Sequence, residues 1–485
     1  MELSDGDYVP ENSIDSSSYD SDSTSIYTTC TSTVKVIPCL LRDLSENDIC
    51  DIIIDIYDQM ADFLKKNVLS LSSATFYRDM FNTIALVLYD EWVDADLYGE
   101  DSDEEVENIG ELVDFVEQVW DVYADFCEIP LRSIAYENMR SERVSFDVAD
   151  ITHKIRHLEG LEQPAQRTPE WYEFRNNLLS ASSLSKVFGS EAQVNSLIYE
   201  KCSPVDRNAP NFSKTNINSP THWGVKYEPV TVMIYEDLFH TKVGEFGCIR
   251  HPQYHFIGAS PDGINVDPTS SRYGRMLEIK NIYNRDITGI PKEEYWVQTQ
   301  IQMETCDLDY CDFMETRIKE YEAADDFYTD NSREYKGVVL HFIETDSRSP
   351  TVNHPHYQYM PFEGFPEHRV GNNIGKEKSE IDAWIKKVRE ESKLKGLVLF
   401  NVLYWYLDEY SCVLIPRNRV WFQSALPKIG EVWQTIVKER EEGYEHRATK
   451  KKLLKNVIVT SDSASNSYHI ENLNTNRSIC LVKLG

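Results

Sequence analysis

Asp262 stands in Ser260-Pro261-Asp262-Gly263, and Glu278 and Lys280 stand two apart in Leu277-Glu278-Ile279-Lys280. Residues two apart on a strand face the same way, so Glu278 and Lys280 share one side while Ile279 turns into the core. Ser-Pro-Asp-Gly is turn chemistry, with proline setting φ and glycine relieving it. It follows Phe256-Ile257, which reads as the end of a strand. If that strand pairs with the strand of Glu278, two carboxylates and one ammonium converge on a sheet edge. That layout suits Mg²⁺-assisted phosphodiester hydrolysis: hard oxygen ligands hold the ion, which activates water and neutralises charge developing on phosphate.

Other elements must hold these groups in place. Gly224 to His240 reads as a helix bearing Glu228, and residues 243–266 as two strands around His251-Pro252. Glu294 to Met303 is a helix on which Tyr295, Gln298 and Gln302, three and four apart, share a face. Upstream, Thr168-Pro169-Glu170 is a helix start carrying Trp171, Phe174 and Arg175. A second helix begins at Leu179-Ser180-Ala181-Ser182 and runs through Gly189. Ser182 there either caps the helix or, with Arg175, binds phosphate at its N-terminus. Further on, 338–343 and 357–361 read as strands, 381–388 and 426–439 as helices, and 398–407 with 411–414 as a hairpin.

The chain has 485 residues and a net charge of −32, but that charge is lopsided. Residues 1–150 hold 35 Asp and Glu against 8 Lys and Arg, a net of −27, which leaves −5 for the rest. The last two thirds can therefore carry a local basic groove that the bulk figure would deny. Residues 1–33, rich in Ser and Asp, bury too little apolar surface to order themselves and read as a disordered leader. Residues 40–145 read as an acidic helical module, with Ile52, Ile53, Ile56 and Met60 on one face and an acidic loop at 99–107. Its charge either solvates it or docks a basic partner, and a chain starting near His153 is expected to fold without it. Residues 150–445 form the main domain and 446–485 a basic, then polar, loose tail. His153 and His157, four apart with no third ligand, read as a solvated pair. Ten cysteines without a C-x-x-C pair read as buried free thiols of a reducing, intracellular protein. No apolar run spans a bilayer and no signal peptide opens the chain.

Five motifs in order carry a resemblance: T-P-E-W-Y-E-F-R-N-N-L-L-S-A-S at 168–182, G-V-K-Y-E-P at 224–229, H-P-Q-Y-H-F-I-G-A-S-P-D-G at 251–263, L-E-I-K at 277–280 and Y-W-V-Q-T-Q-I-Q-M at 295–303. The chain resembles the YqaJ-like viral recombinases, relatives of the phage-lambda exonuclease in the PD-(D/E)XK superfamily, and looks similar to nucleases of large DNA viruses. The resemblance implies an α/β fold, a restriction-endonuclease-like mixed sheet flanked by helices, behind the N-terminal acidic helical module. It implies Mg²⁺, with Mn²⁺ as substitute, held by Asp262, Glu278, the Ile279 carbonyl and Glu228. Lys280 matches the lysine that orients or deprotonates water, and Gln298 the glutamine that steadies it; Arg175 and Ser182 match the 5′-phosphate pair. The implied activity is 5′-to-3′ exonuclease action on double-stranded ends, serving viral recombination, repair or processing in the host cytoplasm, viral factory or nucleus. Implied partners are DNA and a basic or single-strand annealing protein; a homo-oligomer stays open. The rivals are an endonuclease or nickase of the same superfamily, and a non-catalytic binding protein on this scaffold.

Overall fold

The computed structural model describes residues 38–94, 105–127, 129–135, 147–164, 168–204, 217, 219–344, 355–362 and 374–448, with three further strands between 457 and 482. The leader 1–33 and most of the acidic loop lie outside them; Glu105 to Glu107 already belong to a helix. The chain divides into two compact units. One takes residues up to 185 and 205–430, the other 186–204 and 431–485.

In the first unit the acidic module is three helices, Glu46–Lys66, Phe76–Asp94 and Glu105–Phe126. The first opens on a capping box, Ser45 and Asp48 satisfying each other's backbone N–H. Their apolar stripes, with Ile53, Ile56, Met60, Ile84, Phe115 and Trp120, close over a core of their own.

The strands of this unit are β1 (Ile134–Ala135), β2 (Leu179–Ser180), β3 (Val243–Gly244), β4 (Ile249–Arg250), β5 (Ile257–Ala259), β6 (Gly263–Asn265), β7 (Met276–Asn281), β8 (Tyr310–Glu320), β9 (Lys336–Glu344), β10 (His356–Tyr359) and β11 (Leu397–Pro416). Among the described residues eight of them make a mixed sheet in the order β10-β9-β11-β8-β7-β6-β3, with β1 added against β11. Only β7 and β8 run parallel in it; the other neighbours are antiparallel. The expected α/β class is thus observed, a mixed sheet between helices. On β7 the faces separate cleanly. Leu277 and Ile279 pack with Tyr227, Val230 and Ile234 of the helix Pro220–Phe239. Glu278 and Lys280, one residue out of phase, meet the helix Glu293–Cys306 on the other side.

Several sequence readings need correction. The expected hairpin at 398–414 is one 20-residue strand, β11, pairing first with β9 and then with β8. Asp408-Glu409-Tyr410 offers no Gly, Pro or Asn to reverse the chain and forms a bulge instead. Arg333 and Lys319 hold Asp408 there, and Arg317 holds Glu409. Residues 243–266 give four short strands rather than two, divided between two sheets. β5 pairs with β2 and β4, so the strand before Asp262 is not the partner of Glu278's strand; that partner is β6, after the turn. Gly263 does not relieve the turn with a positive φ. A Cβ there would stand 2.1 Å from Val243 Cγ1, so glycine is what lets β3 and β6 approach. The second helix after Arg175 is only Ala181–Leu184, followed by a short 3₁₀ turn.

The acidic module is also tied to the sheet and to the helix that follows it. β1, just after it, pairs with Val413 and Leu414 of β11, and Trp421 Nε1 donates to the Leu69 carbonyl at 3.3 Å. A chain starting at His153 would lack these contacts.

The second unit holds the helix Glu191–Cys202, opened by a Ser190–Gln193 capping box. Arg440 donates to the Lys201 carbonyl at 2.6 Å and Asn195 to the Arg447 carbonyl at 2.9 Å. The tail is not uniformly loose: β12 (Val457–Asp462), β13 (Ser467–Asn472) and β14 (Arg477–Val482) form an antiparallel sheet.

Candidate active site

Register builds the site. β6 and β7 pair Gly263 with Leu277, and one antiparallel step further sets Asp262 opposite Glu278. Asp262 Oδ2 accepts the Ile279 N–H at 2.7 Å, which locks the turn onto the strand. Glu278 is 1% exposed and fully engaged. Its Oε1 accepts from Lys280 Nζ and from Gln298 Nε2 at 2.7 Å, and its Oε2 accepts from Gln302 Nε2 at 2.7 Å. Gln298 Oε1 accepts from Lys280 Nζ at 3.3 Å, so the carboxylate, the lysine and one amide close a ring. Tyr295, on the same helix face, puts its ring 4.7 Å from Lys280 Nζ. The predicted spacing of Tyr295, Gln298 and Gln302 delivers all three to one place. Gln302 was legible as a face-mate of Gln298, but its bond to Glu278 was not.

The electrostatics are unbalanced. Burial, then the charges of Glu278 and Glu228, hold the Asp262 carboxyl well above the usual carboxylate range, against the pull of Lys280 and the Ile279 N–H. Glu228, on the helix Pro220–Phe239, therefore acts on the same carboxyl that β7 faces. Burial opposes the Lys280 ammonium, but Glu278 and Asp262 outweigh it and raise its pKa above the ordinary lysine value. These neighbours favour the charged form of Lys280.

Three carboxylates press on one point and a single lysine answers them. That excess of carboxylates fits a divalent cation, which Asp262, Glu228, Glu278 and the Ile279 carbonyl would hold. No group of three Asp, Glu, His or Cys among the described residues stands ready-made as a cage. Both Glu278 oxygens are turned to protein donors.

Arg175 and Ser182 come together as well. Arg175 Nη2 donates to Ser180 Oγ at 3.2 Å and to Ser182 Oγ at 3.3 Å. Its guanidinium lies 4.6 Å from the Trp171 ring centre, so Trp171 orients the arginine as well as packing. Ser180, not Ser182, is the N-terminal flanking residue of the four-residue helix, and its side chain makes no capping bond. β2 joins this pair to the site, because Ser180 pairs with Gly258 on the strand that leads to Asp262.

The other residues with chemical potential stay apart. His153 and His157 are exposed on the helix Val148–Glu159 and line a cavity of about 500 Å³ with His251 and Arg417. None of the predicted site residues lines it. His251 is buried and its Nδ1 accepts the Gln253 and Tyr254 N–H groups. Burial and the Arg417 charge push its pKa down to about 4, so it stays neutral. Cys306 and Cys311 are buried free thiols. No described helix is long and apolar enough to cross a membrane.

Comparison with known proteins covers the same stretch. Residues 170–309 match the family model of the YqaJ-like viral recombinase domain. A curated relative, the uncharacterized protein R354 of Acanthamoeba polyphaga mimivirus, is 26% identical over 347 residues, 63% of this chain and 60% of that protein. The chain thus spans less than two thirds of that relative's length. Among solved structures, an alkaline exonuclease (LHK-Exo) from Laribacter hongkongensis is 22% identical, over 47% of this chain and 100% of that one, with a TM-score of 0.25. LHK-Exo in complex with dAMP is 22% identical over 47% and 98%, with a TM-score of 0.24. All five motifs read from the sequence fall in or at the edge of the matched stretch, so residues 170–309 are similar to the YqaJ-like viral recombinase domain.

Proposed function

We propose that the protein is a divalent-metal-dependent DNA exonuclease, using Mg²⁺ or Mn²⁺ and degrading double-stranded ends from 5′ to 3′ in viral recombination, repair or processing. The observation that carries the reading is Glu278, buried beside Asp262 and held by Lys280, Gln298 and Gln302. A folded protein does not gain stability from clustering carboxylates in this way, so the cost implies a use. The match of residues 170–309 to the YqaJ-like viral recombinase domain supports it.

The bound ion would supply Lewis-acid stabilisation of the phosphate and an acidified water. The chain's own residues do the rest. Lys280 presents a positive charge where negative charge grows on the scissile phosphate, and Tyr295 and Gln298 fix its direction. Gln298 and Gln302 orient Glu278 by donating to separate oxygens. Arg175, already aligned by Trp171 and the two serines, receives a 5′-terminal phosphate, with Ser182 Oγ as a further donor.

The discriminating assay offers linear 5′-phosphorylated, linear 5′-hydroxyl and nicked or closed circular DNA, with and without Mg²⁺. An exonuclease consumes the linear forms and leaves closed circles intact. Cutting of closed circles would replace this reading by an endonuclease, and binding without cutting by a non-catalytic scaffold. Arg175→Ala is expected to slow digestion of phosphorylated ends about 10- to 100-fold, from the roughly 1.5–3 kcal/mol of a hydrogen bond to a charged group. Ends lacking phosphate should lose little. Equal losses on both would make Arg175 a general backbone contact.

A further inference from the structure

Arg132 lies outside every motif, yet it is 4% exposed, and its bonds converge on the entrance to the helix Glu293–Cys306. Its guanidinium donates to the Ser72 carbonyl from Nε at 3.3 Å and from Nη2 at 3.1 Å, and Nη2 donates as well to the Pro291 carbonyl. Its own carbonyl accepts Trp296 Nε1 at 2.8 Å, and its N–H donates to Tyr77 Oη at 3.1 Å. Alongside, the Ser72 hydroxyl stands 3.0 Å from Glu293 Oε1. A buried guanidinium is costly, and burial lowers its pKa to about 10. Here the residue bridges Tyr77 on the module's second helix, the turn after its first helix, the loop leaving β7, and the first turn of the helix that carries Tyr295, Gln298 and Gln302.

We propose that Arg132 is a positioning residue for the catalytic helix: it clamps Pro291 and Trp296 to the N-terminal module and so sets how Gln298 and Gln302 meet Glu278 and Lys280. The acidic module is then part of the active-site scaffold. This rests on the nuclease reading of that site. The geometry gives the mechanism. Trp296 lies two residues from Gln298, so a shift of the helix start moves both amides against β7. A displacement of about 1 Å in such a group can cost roughly 10²-fold in rate.

The test uses the full chain with Arg132→Met, which keeps length and loses the donors, and the milder Trp296→Phe, which keeps an aromatic ring but removes the indole N–H and part of the ring volume. Both are expected to lower kcat about 10- to 100-fold on linear DNA. KM should be nearly unchanged. Hydrogen exchange should quicken in residues 288–306 while β8 and β9 stay protected. In a Gln298→Ala background neither change should lower kcat much further, because contacts acting through one group are not additive. Full additivity with Gln298→Ala, or unchanged exchange in 288–306 with unchanged kcat, overturns the proposal. If Arg132→Met fails to fold, Trp296→Phe decides alone by the same measures. A wild-type protein that cuts no DNA overturns the nuclease reading instead, and the exchange pattern still decides whether the clamp exists.

Discussion

Asp262→Ala and Glu278→Ala are each expected to abolish DNA cleavage, a loss of at least roughly 10³-fold in kcat, with folding and DNA binding retained. Glu278 is the hub of three side chains, so its loss also frees Lys280, Gln298 and Gln302 from their common acceptor. Asp262→Asn adds a second expectation that a purely structural aspartate would not meet. The native carboxyl is held well above its ordinary range by burial, Glu278 and Glu228. A carboxyl whose folded pKa is raised weakens the fold when ionised; the penalty is full above the folded pKa and disappears as pH falls below the unfolded value of about 3.9. The inactive Asp262→Asn protein should therefore melt above wild type at neutral pH without divalent ions, and the gap should close on acidification. Melting curves across that range check the sign. Equal or lower stability at pH 7 would remove the electrostatic strain, and full cleavage by Asp262→Ala would remove the site.

Lys280→Ala comes next in size. Here the charge is lost while Asp262, Glu278 and Glu228 stay, so the expected fall in kcat is about 10²–10⁴-fold with little change in KM for DNA. Lys280→Arg separates two roles. It keeps a positive charge near Glu278 but cannot act as a base at neutral pH. Substantial activity in Lys280→Arg would assign the lysine to charge stabilisation, in line with the upward pull of Glu278 and Asp262 on its pKa. Loss equal to Lys280→Ala would assign it to proton transfer. An Ala variant that cuts at the native rate would exclude both.

Much of the site was legible because strands and helices have fixed periods. Two residues apart on β7 gave Glu278 and Lys280 a common face, and three and four apart gave Tyr295, Gln298 and Gln302 theirs. Turn chemistry found Asp262 but named the wrong partner strand. Local sequence marks where a chain reverses and is silent on which neighbour each arm then joins; β5 and β6 went to different sheets. The absent turn in β11 was legible in principle, since no residue there favours reversal, yet two apolar runs around Asp408-Glu409 imitated a hairpin.

The sequence by itself determined the donor set, the faces on which it is displayed, and the separation of an acidic first third from a nearly neutral remainder. These follow from residue type and local period. Tertiary structure alone decided that both oxygens of Glu278 are spent on protein donors, that Glu228 presses on Asp262 from the opposite helix, and that Arg132 joins Ser72 to Pro291. Those contacts span 24, 34, 60 and 159 positions. Over such separations no propensity acts, and burial and hydrogen-bond satisfaction in the packed fold choose the partners.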